Sequence, residues 1–290
     1  MAPQGIGRPA GKLVRMHPVL FEVFGVKVHS YGVMLVISFL AAIWLVQRRA
    51  ERFGLTKDNV LDAAFWGVLL GILGARVLYI LQEWPSYSHN PREIFKLQFD
   101  GLTSFGGLIG GFFGLLLWSI KAKKPFLSML DAASAGFLIA HPIGRIGCLL
   151  NGCCYGHACN LPWAVAVDGK TGRYHPAQIY DGLLNVLALS VLLLAERRGL
   201  KRGQSFGLFL ILHGATRVIY EFWRAGTSST YMKGLPITEA QLAAGLLMLV
   251  GAIVFAWRQR APQVHPVLDV SATAPVETPV PIDGPGENPA

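Results

Sequence analysis

Residues 141–156 read HPIGRIGCLLNGCCYG and carry an unusual concentration of reactive side chains. They continue an apolar run, LSMLDAASAGFLIA, that is typical of a helix crossing a membrane. His141, Arg145 and Cys148 are spaced i, i+4 and i+7, so on a helix they share one face. Burying an unpaired arginine near the bilayer centre costs roughly 3 kcal/mol on insertion scales. This stretch therefore predicts a polar site inside a membrane protein.

Two further arginines lie in apolar stretches, Arg76 in GARVLYIL and Arg217 in HGATRVIYEF. Glu221 follows Arg217 by four residues, and this spacing predicts an ion pair on one helix face. Arg76 and Arg145 have no such local partner, so a bound anion is the better explanation for them. Inside a bilayer we expect a lipid phosphate, which a guanidinium binds through two parallel hydrogen bonds while it stays charged. The other carboxylates in apolar stretches are few: Asp62, Asp131 and Asp181.

The four cysteines fall within twelve residues and are joined by His157; they are Cys148, Cys153, Cys154 and Cys159. Their spacing, C-x4-C-C-x4-C, lacks the C-x2-C pair of zinc ribbons. Three interpretations remain open: small packing residues or a local disulfide such as Cys154–Cys159, a metal site, and a direct chemical role.

The elements that must position these residues are apolar helices. Residues AVILMFWYC make up 52% of the 290-residue chain and DEKR only 15%, with a mean hydropathy of +0.44. Windows long enough to cross a bilayer predict an all-α polytopic membrane protein with about seven transmembrane helices and small periplasmic loop elements. The windows are 31–47, 61–81, 105–120, 127–150, 178–195, 206–223 and 239–257. They predict a polar N-terminal tail at 1–27, a transmembrane domain at 28–260 and a disordered Pro-rich tail at 261–290.

The formal net charge of +9 lies mostly in the short connections after the first, third, fifth and seventh windows. The positive-inside rule makes that side cytoplasmic and places the N-terminus outside and the C-terminus in the cytoplasm. Because the charge is spread over these loops rather than gathered in one patch, we expect no nucleic-acid partner.

Six stretches resemble, in the same order, motifs of bacterial prolipoprotein diacylglyceryl transferases. GRIGCLLNGCCYG resembles that family's GRIGNFxNxExxG signature, and the others are HSYGVM, GARVLY, SFGGLIGG, RYHPAQIYD and RVIYEFWR. SFGGLIGG contains Gly106 and Gly107, and the four-residue spacing of its glycines also predicts close helix packing.

The resemblance implies transfer of a diacylglyceryl group from phosphatidylglycerol to the lipobox cysteine of prolipoprotein signal peptides in the bacterial inner membrane. It implies no metal or other cofactor. The catalytic residues it implies, together with the histidine that the residues themselves suggest, are Arg145, Arg217, Glu221 and His141. The substrate-binding residues are Arg145, Asn151, Gly152, Tyr31, Arg76, Gly106 and Gly107. A cavity open sideways to membrane lipids is expected because both substrates arrive within the membrane.

The chain departs from the family pattern at three positions. Phe105 stands where the family has the histidine of HGG, a natural base for the incoming thiol. Cys148 and Cys153 replace the asparagine and the acidic residue of the signature. His141, His175 and His157 are the candidates for a relocated base. Two alternatives follow: a divergent paralogue with another acceptor, or a non-enzymatic lipid-binding protein or cysteine-based sensor.

Overall fold

The computed structural model describes residues 17–23, 26–89, 103–225 and 237–260. Within them the chain forms one β-hairpin and a bundle of helices. Their bounds are β1 Val19–Val23, β2 Val26–His29, α1 Ser30–Arg49, a 3-10 turn at Ala50–Phe53, α2 Lys57–Gln82, α3 Trp84–His89, α4 Ser104–Ala122, α5 Phe126–Leu150, α6 Ala177–Arg197, α7 Gln204–Glu221 and α8 Glu239–Arg258. Residues 1–16 of the predicted N-terminal tail at 1–27, and the whole predicted tail at 261–290, lie outside the described residues.

The long helices confirm the predicted all-α membrane architecture. Within the described residues, seven of them match the seven apolar windows to within about four residues at either end. Six are long and apolar enough to cross a membrane by length and composition. The remaining long helix, α7, is less apolar than these six, because it carries the polar residues His213, Arg217 and Glu221.

The hairpin was not predicted. β1 and β2 pair in antiparallel register, with Val19 opposite His29 and Glu22 opposite Lys27. The first strand and part of the second therefore occupy the end of the segment that the sequence predicts as a polar tail. The hairpin leads directly into α1.

Helix α5 is the centre of the bundle and packs against α1, α6 and α7. Half of its most apolar window is buried, a larger share than in the other candidate spans. A buried carboxylate on α5 also sets the start of α7: Asp131 accepts hydrogen bonds from the backbone N–H groups of Gly203 at 2.5 Å and Phe206 at 2.8 Å. Because negative charge is favourable at a helix N-terminus, this contact fixes α7 against α5.

Helices α2 and α4 pack through glycines. A Cβ atom on Gly106 would lie 2.4 Å from the carbonyl oxygen of Gly74, and one on Gly110 would lie 2.1 Å from that of Leu70. The predicted role of the glycine spacing in helix packing is therefore confirmed.

The connection between α5 and α6 folds back over the end of α7. Gly156 and Arg224 form an isolated β-bridge, and the backbone N–H of His157 donates to the carbonyl of Trp223 at 3.0 Å. This connection carries most of the cysteines and brings them to the helix ends described next.

Candidate active site

The end of α5 is paired with α6 through a buried carboxylate. Asp181 is 1% exposed, and its Oδ2 lies 2.5 Å from Arg145 Nε and 3.0 Å from His141 Nε2. Arg145 Nε also donates to His141 Nε2 at 3.3 Å. Arg145 therefore pairs not with a residue of α5 but with a carboxylate of the neighbouring helix α6.

The fixed carboxylate does not use the whole guanidinium. The contacts that Arg145 makes to Asp181 and His141 both involve Nε. A guanidinium also carries N–H groups on its two Nη atoms, and such groups suit bidentate binding of an anion. Asp181 is held in turn by Asn185, whose amide donates to Oδ1 at 3.0 Å.

The end of α7 carries a second ionic group. Glu221 pairs with Arg217, as the four-residue spacing predicts, and lies 3.9 Å from Arg224. Thr238, at the start of α8, donates a hydrogen bond to Glu221 Oε1 at 3.4 Å. Glu221 is thereby anchored between two helices and holds Arg217 in position.

Tyr220 joins the two groups. Its ring is fully buried and lies 5.1 Å from the Cζ of Arg145, 5.1 Å from that of Arg217 and 6.0 Å from that of Arg224. We refer to Arg145, Arg217 and Arg224 as the arginine cluster. An aromatic face stabilises nearby cations, and it does so more strongly where water is excluded.

The charges of this site do not cancel. Three guanidiniums stand against two carboxylates, Asp181 and Glu221, which leaves one positive charge unbalanced. A partly buried positive excess favours the binding of an anion. The arrangement can therefore hold a group with one negative charge and stabilise further negative charge that develops on it.

Three cysteines lie beside the arginine cluster. The sulfur atoms of Cys148, Cys153 and Cys154 are within 4.8 Å of one another, and we refer to them as the thiol cluster. All four cysteines of the chain are free, so the local disulfide considered for Cys154 and Cys159 is not formed. The backbone N–H of Cys159 instead donates to the carbonyl of Arg173.

The turn after α5 gathers these thiols. Gly152 has a φ of 72° and Cys154 a φ of 62°, and the second value is uncommon for a residue with a side chain. Gln178, fully buried on α6, donates to the carbonyl of Cys153 at 2.5 Å. The thiol of Cys153 donates a hydrogen bond to the carbonyl of Cys148 at 3.6 Å.

Other predicted substrate-binding residues lie around these clusters. Tyr31 on α1 packs beside Gly147, where a Cβ would lie 3.4 Å from its ring. Asn151 is the exposed residue at which α5 ends, and Gly152 follows it in the turn.

The residues predicted on α2 and α4 are placed differently. Arg76 lies 6.0 Å and 5.8 Å from the rings of Tyr79 and Tyr87. Gly106 faces α2 within the glycine contact, whereas a Cβ on Gly107 would meet its nearest atoms only at 3.8 Å. The structure therefore gives Gly106 a packing role.

The candidate bases are separated by their surroundings. Within the described residues, His141 is the one of the three that contacts the arginine cluster. His175 approaches the hydroxyl of Tyr180 at 3.3 Å, in an aromatic groove that Trp163 and Trp223 also line. His157 is exposed on the loop.

The site also contains three residues that the sequence did not predict there: Asp181, Tyr220 and Arg224. A signal was present for Tyr220, which follows Arg217 by three residues and therefore lies on the same face of α7. No comparable spacing indicates the pairing of Asp181 with Arg145, since it joins two different helices.

Comparison of the sequence with known proteins identifies the family of this chain. A family model described as prolipoprotein diacylglyceryl transferase matches residues 18–257. The phosphatidylglycerol–prolipoprotein diacylglyceryl transferase of Clostridium tetani is 34% identical over 245 residues, which cover 83% of this chain and 97% of the relative. That of Photobacterium profundum is 30% identical over 249 residues, covering 84% and 94%. A relative named transferase 2 in Clostridium perfringens is 31% identical over 214 residues, covering 72% and 84%. The chain is thus a membrane-embedded enzyme that belongs to the prolipoprotein diacylglyceryl transferase family.

Proposed function

We propose that this enzyme transfers the diacylglyceryl group of phosphatidylglycerol to the thiol of the lipobox cysteine in prolipoprotein signal peptides. The family match and the names of the relatives support this reaction class. The observation that carries the phospholipid half of the proposal is the arginine cluster around Tyr220, with its one unbalanced positive charge. The phosphodiester of phosphatidylglycerol bears one negative charge and so matches it.

The chemistry places its largest demand on the phosphate. The acceptor sulfur forms a bond to the glyceryl carbon, the bond from that carbon to the phosphate oxygen breaks, and glycerol phosphate leaves with the electron pair. The thiol proton passes to a base. Because negative charge grows on the phosphate as the bond breaks, fixed guanidiniums in a site poor in water stabilise the transition state more than the bound lipid.

Each site residue has a role in this scheme. Arg145 and Arg217 bind the phosphate, and Glu221 orients Arg217. His141 accepts the thiol proton, and the carboxylate of Asp181, 3.0 Å from Nε2, stabilises the imidazolium that forms.

Other residues contact the remainder of the lipid. We assign Tyr31, Asn151 and Gly152 to the headgroup. Binding roles for Arg76 and Gly107 stay predictions, and so does that of Gly106, whose packing against α2 is its observed contact.

The enzyme acts in the bacterial inner membrane with its N-terminus outside. The arginine and thiol clusters would then face the outer side, because α5 and α7 end there and α6 begins there. Basic loops at the opposite end of the bundle support this orientation.

A rescue experiment tests the function. Cells depleted of their own transferase would receive the wild-type chain, Arg145→Ala, or the control Arg198→Ala at the opposite, exposed end of α6. Mass spectrometry of a reporter lipoprotein should show the diacylglyceryl adduct with the wild type and the control. Arg145→Ala should reduce it by about a hundredfold or more, as removal of a transition-state donor does. An unmodified precursor in cells that contain inserted wild-type protein would contradict the proposal.

One observation favours a second candidate, transfer of the lipid group to a different acceptor. Phe105, at the position of the family's histidine, is 73% exposed and offers no proton acceptor. Consumption of phosphatidylglycerol by the wild-type chain, without modification of the reporter, would support this alternative.

A further inference from the structure

We propose that Cys148, Cys153 and Cys154 form a binding site for a zinc ion, whose open fourth position takes the acceptor thiol as a thiolate. This inference rests on the proposed function, because it assigns the site to the activation of the lipobox cysteine. The zinc ion, bound at the end of α5, would take over the role of the family histidine that Phe105 of α4 replaces.

The sulfur positions fit three ligands of one small ion. Their mutual distances do not exceed 4.8 Å. Tetrahedral zinc with Zn–S bonds of about 2.3 Å holds its sulfurs about 3.8 Å apart. A movement of about 1 Å at most for the longest pair would therefore close the site around the ion. Structural zinc sites use four protein ligands, whereas three ligands and an open position are typical of catalytic zinc.

The backbone holds the three thiols in place from separate directions. Cys148 is buried in the last turn of α5. The carbonyl of Cys153 is fixed by Gln178, and that of Cys154 accepts a hydrogen bond from Tyr220 at 3.5 Å. Such outer contacts orient metal ligands, and their loss weakens metal binding by about 10- to 100-fold. Cys154 adopts the left-handed backbone conformation, which costs energy for a residue with a side chain. A cysteine that only filled space between helices would not require this conformation.

The thiol cluster lies where the reaction would need it. Tyr220 contacts Cys154 through its hydroxyl and Arg145 and Arg217 through its ring. A thiolate on the metal and a phosphate on the arginines would therefore share one site, as attack on the glyceryl carbon demands.

The chemistry of zinc matches that of the acceptor. A thiolate, not a thiol, is the nucleophile, and a thiol that coordinates zinc is deprotonated outright. On binding the ion, the acceptor thiol passes its proton to His141, the base of the proposed function. Its sulfur then uses a lone pair to form the S–C bond while the C–O bond breaks and its electron pair leaves on glycerol phosphate. The thioether product is a weaker ligand than a thiolate and dissociates, and zinc keeps its oxidation state throughout.

The first test measures metal binding without reference to activity. The full-length chain, purified in detergent under reducing conditions, would be titrated with Zn²⁺ and analysed for metal content. We expect about one zinc per chain for the wild type and for the control Cys159→Ser. Cys148→Ser and Cys154→Ser should each lower the zinc affinity by at least about tenfold. Equal zinc affinity in all four proteins, or no binding in any, would overturn the proposal.

The second test addresses the open position. With Co²⁺ in place of zinc, the sulfur-to-cobalt absorption should increase when a lipobox peptide is added, and a peptide with serine in place of cysteine should leave it unchanged. A spectrum that does not respond to the thiol peptide would overturn the role of the fourth position.

Transfer assays separate this inference from the proposed function. Loss of diacylglyceryl transfer on removal of zinc, with recovery on its return, supports both. Full transfer by metal-free protein overturns the zinc inference and leaves the proposed function intact. Zinc binding by the three cysteines without transfer in either form overturns the proposed function and, with it, the catalytic role of the ion.

Discussion

Tyr220 shows how single side chains organise this site. Its ring lies 5.1–6.0 Å from the Cζ atoms of three guanidiniums, and its hydroxyl donates to the carbonyl of Cys154. Each such cation–π contact contributes about 0.5–2 kcal/mol, depending on how fully water is excluded. Asp181 pairs with Arg145, and Glu221 pairs with Arg217 and lies 3.9 Å from Arg224. One buried aromatic ring thus contacts all three arginines of the cluster, and two carboxylates form ion pairs with them.

At the residue scale, Asp181 is predicted to be a positioning residue. Asp181→Asn removes the charge that holds Arg145 Nε and the acceptor that His141 faces. We expect kcat to fall by about tenfold or more, with a smaller change in KM for phosphatidylglycerol, because orientation of Arg145 matters most for charge that develops in the transition state. Kinetics in detergent with a lipobox peptide would measure both constants.

The control for this variant is Asp168→Asn, an exposed carboxylate in the connection between α5 and α6. Removing one member of a buried ion pair costs about 3–5 kcal/mol, so thermal unfolding of both variants must accompany the kinetics. Unchanged kcat in a folded Asp181→Asn protein would show that Arg145 does not depend on this carboxylate.

At the scale of elements, the contact between α2 and α4 depends on the absence of side chains. Gly110→Val would place a Cβ 2.1 Å from the carbonyl oxygen of Leu70 and so force the helices apart. Overpacking of this kind costs about 1–3 kcal/mol. We expect a lower thermal unfolding temperature in detergent. Gly245→Val on α8 is the matched control, since nothing lies within 4 Å of its Cβ. Equal unfolding temperatures for the two variants would contradict the packing role.

The sequence predicts the helices of this structure better than it predicts the contacts between them. The helices were predicted nearly to their ends, because seven apolar windows give a strong signal in lipid. The pair of Arg217 and Glu221 was predicted because it lies within one helix turn. The pair of Arg145 and Asp181 was not, since it depends on which faces of α5 and α6 meet. The thiol cluster likewise depends on the backbone angles of Gly152 and Cys154, which spacing alone does not determine.

At the scale of the whole molecule, reactive groups and basic loops occupy opposite ends of the bundle. The arginine and thiol clusters lie where α5 and α7 end, whereas Lys123, Lys124 and Arg198 lie where α4 and α6 end. The positive-inside rule then predicts that the site faces the outside of the cell. An acceptor signal peptide that crosses the membrane would present its lipobox thiol near this side.

Cysteine labelling tests this orientation. In a chain whose four native cysteines are replaced by serine, Asp168→Cys and Lys123→Cys would each carry a single thiol, at opposite ends of the bundle. In intact spheroplasts a membrane-impermeant maleimide should label the thiol at position 168, and that at position 123 only after lysis. Labelling at 123 alone before lysis would place the site in the cytoplasm. The thiol acceptor would then have to be modified before its signal peptide crosses the membrane, so the same measurement also fixes the stage of export at which the lipid is attached.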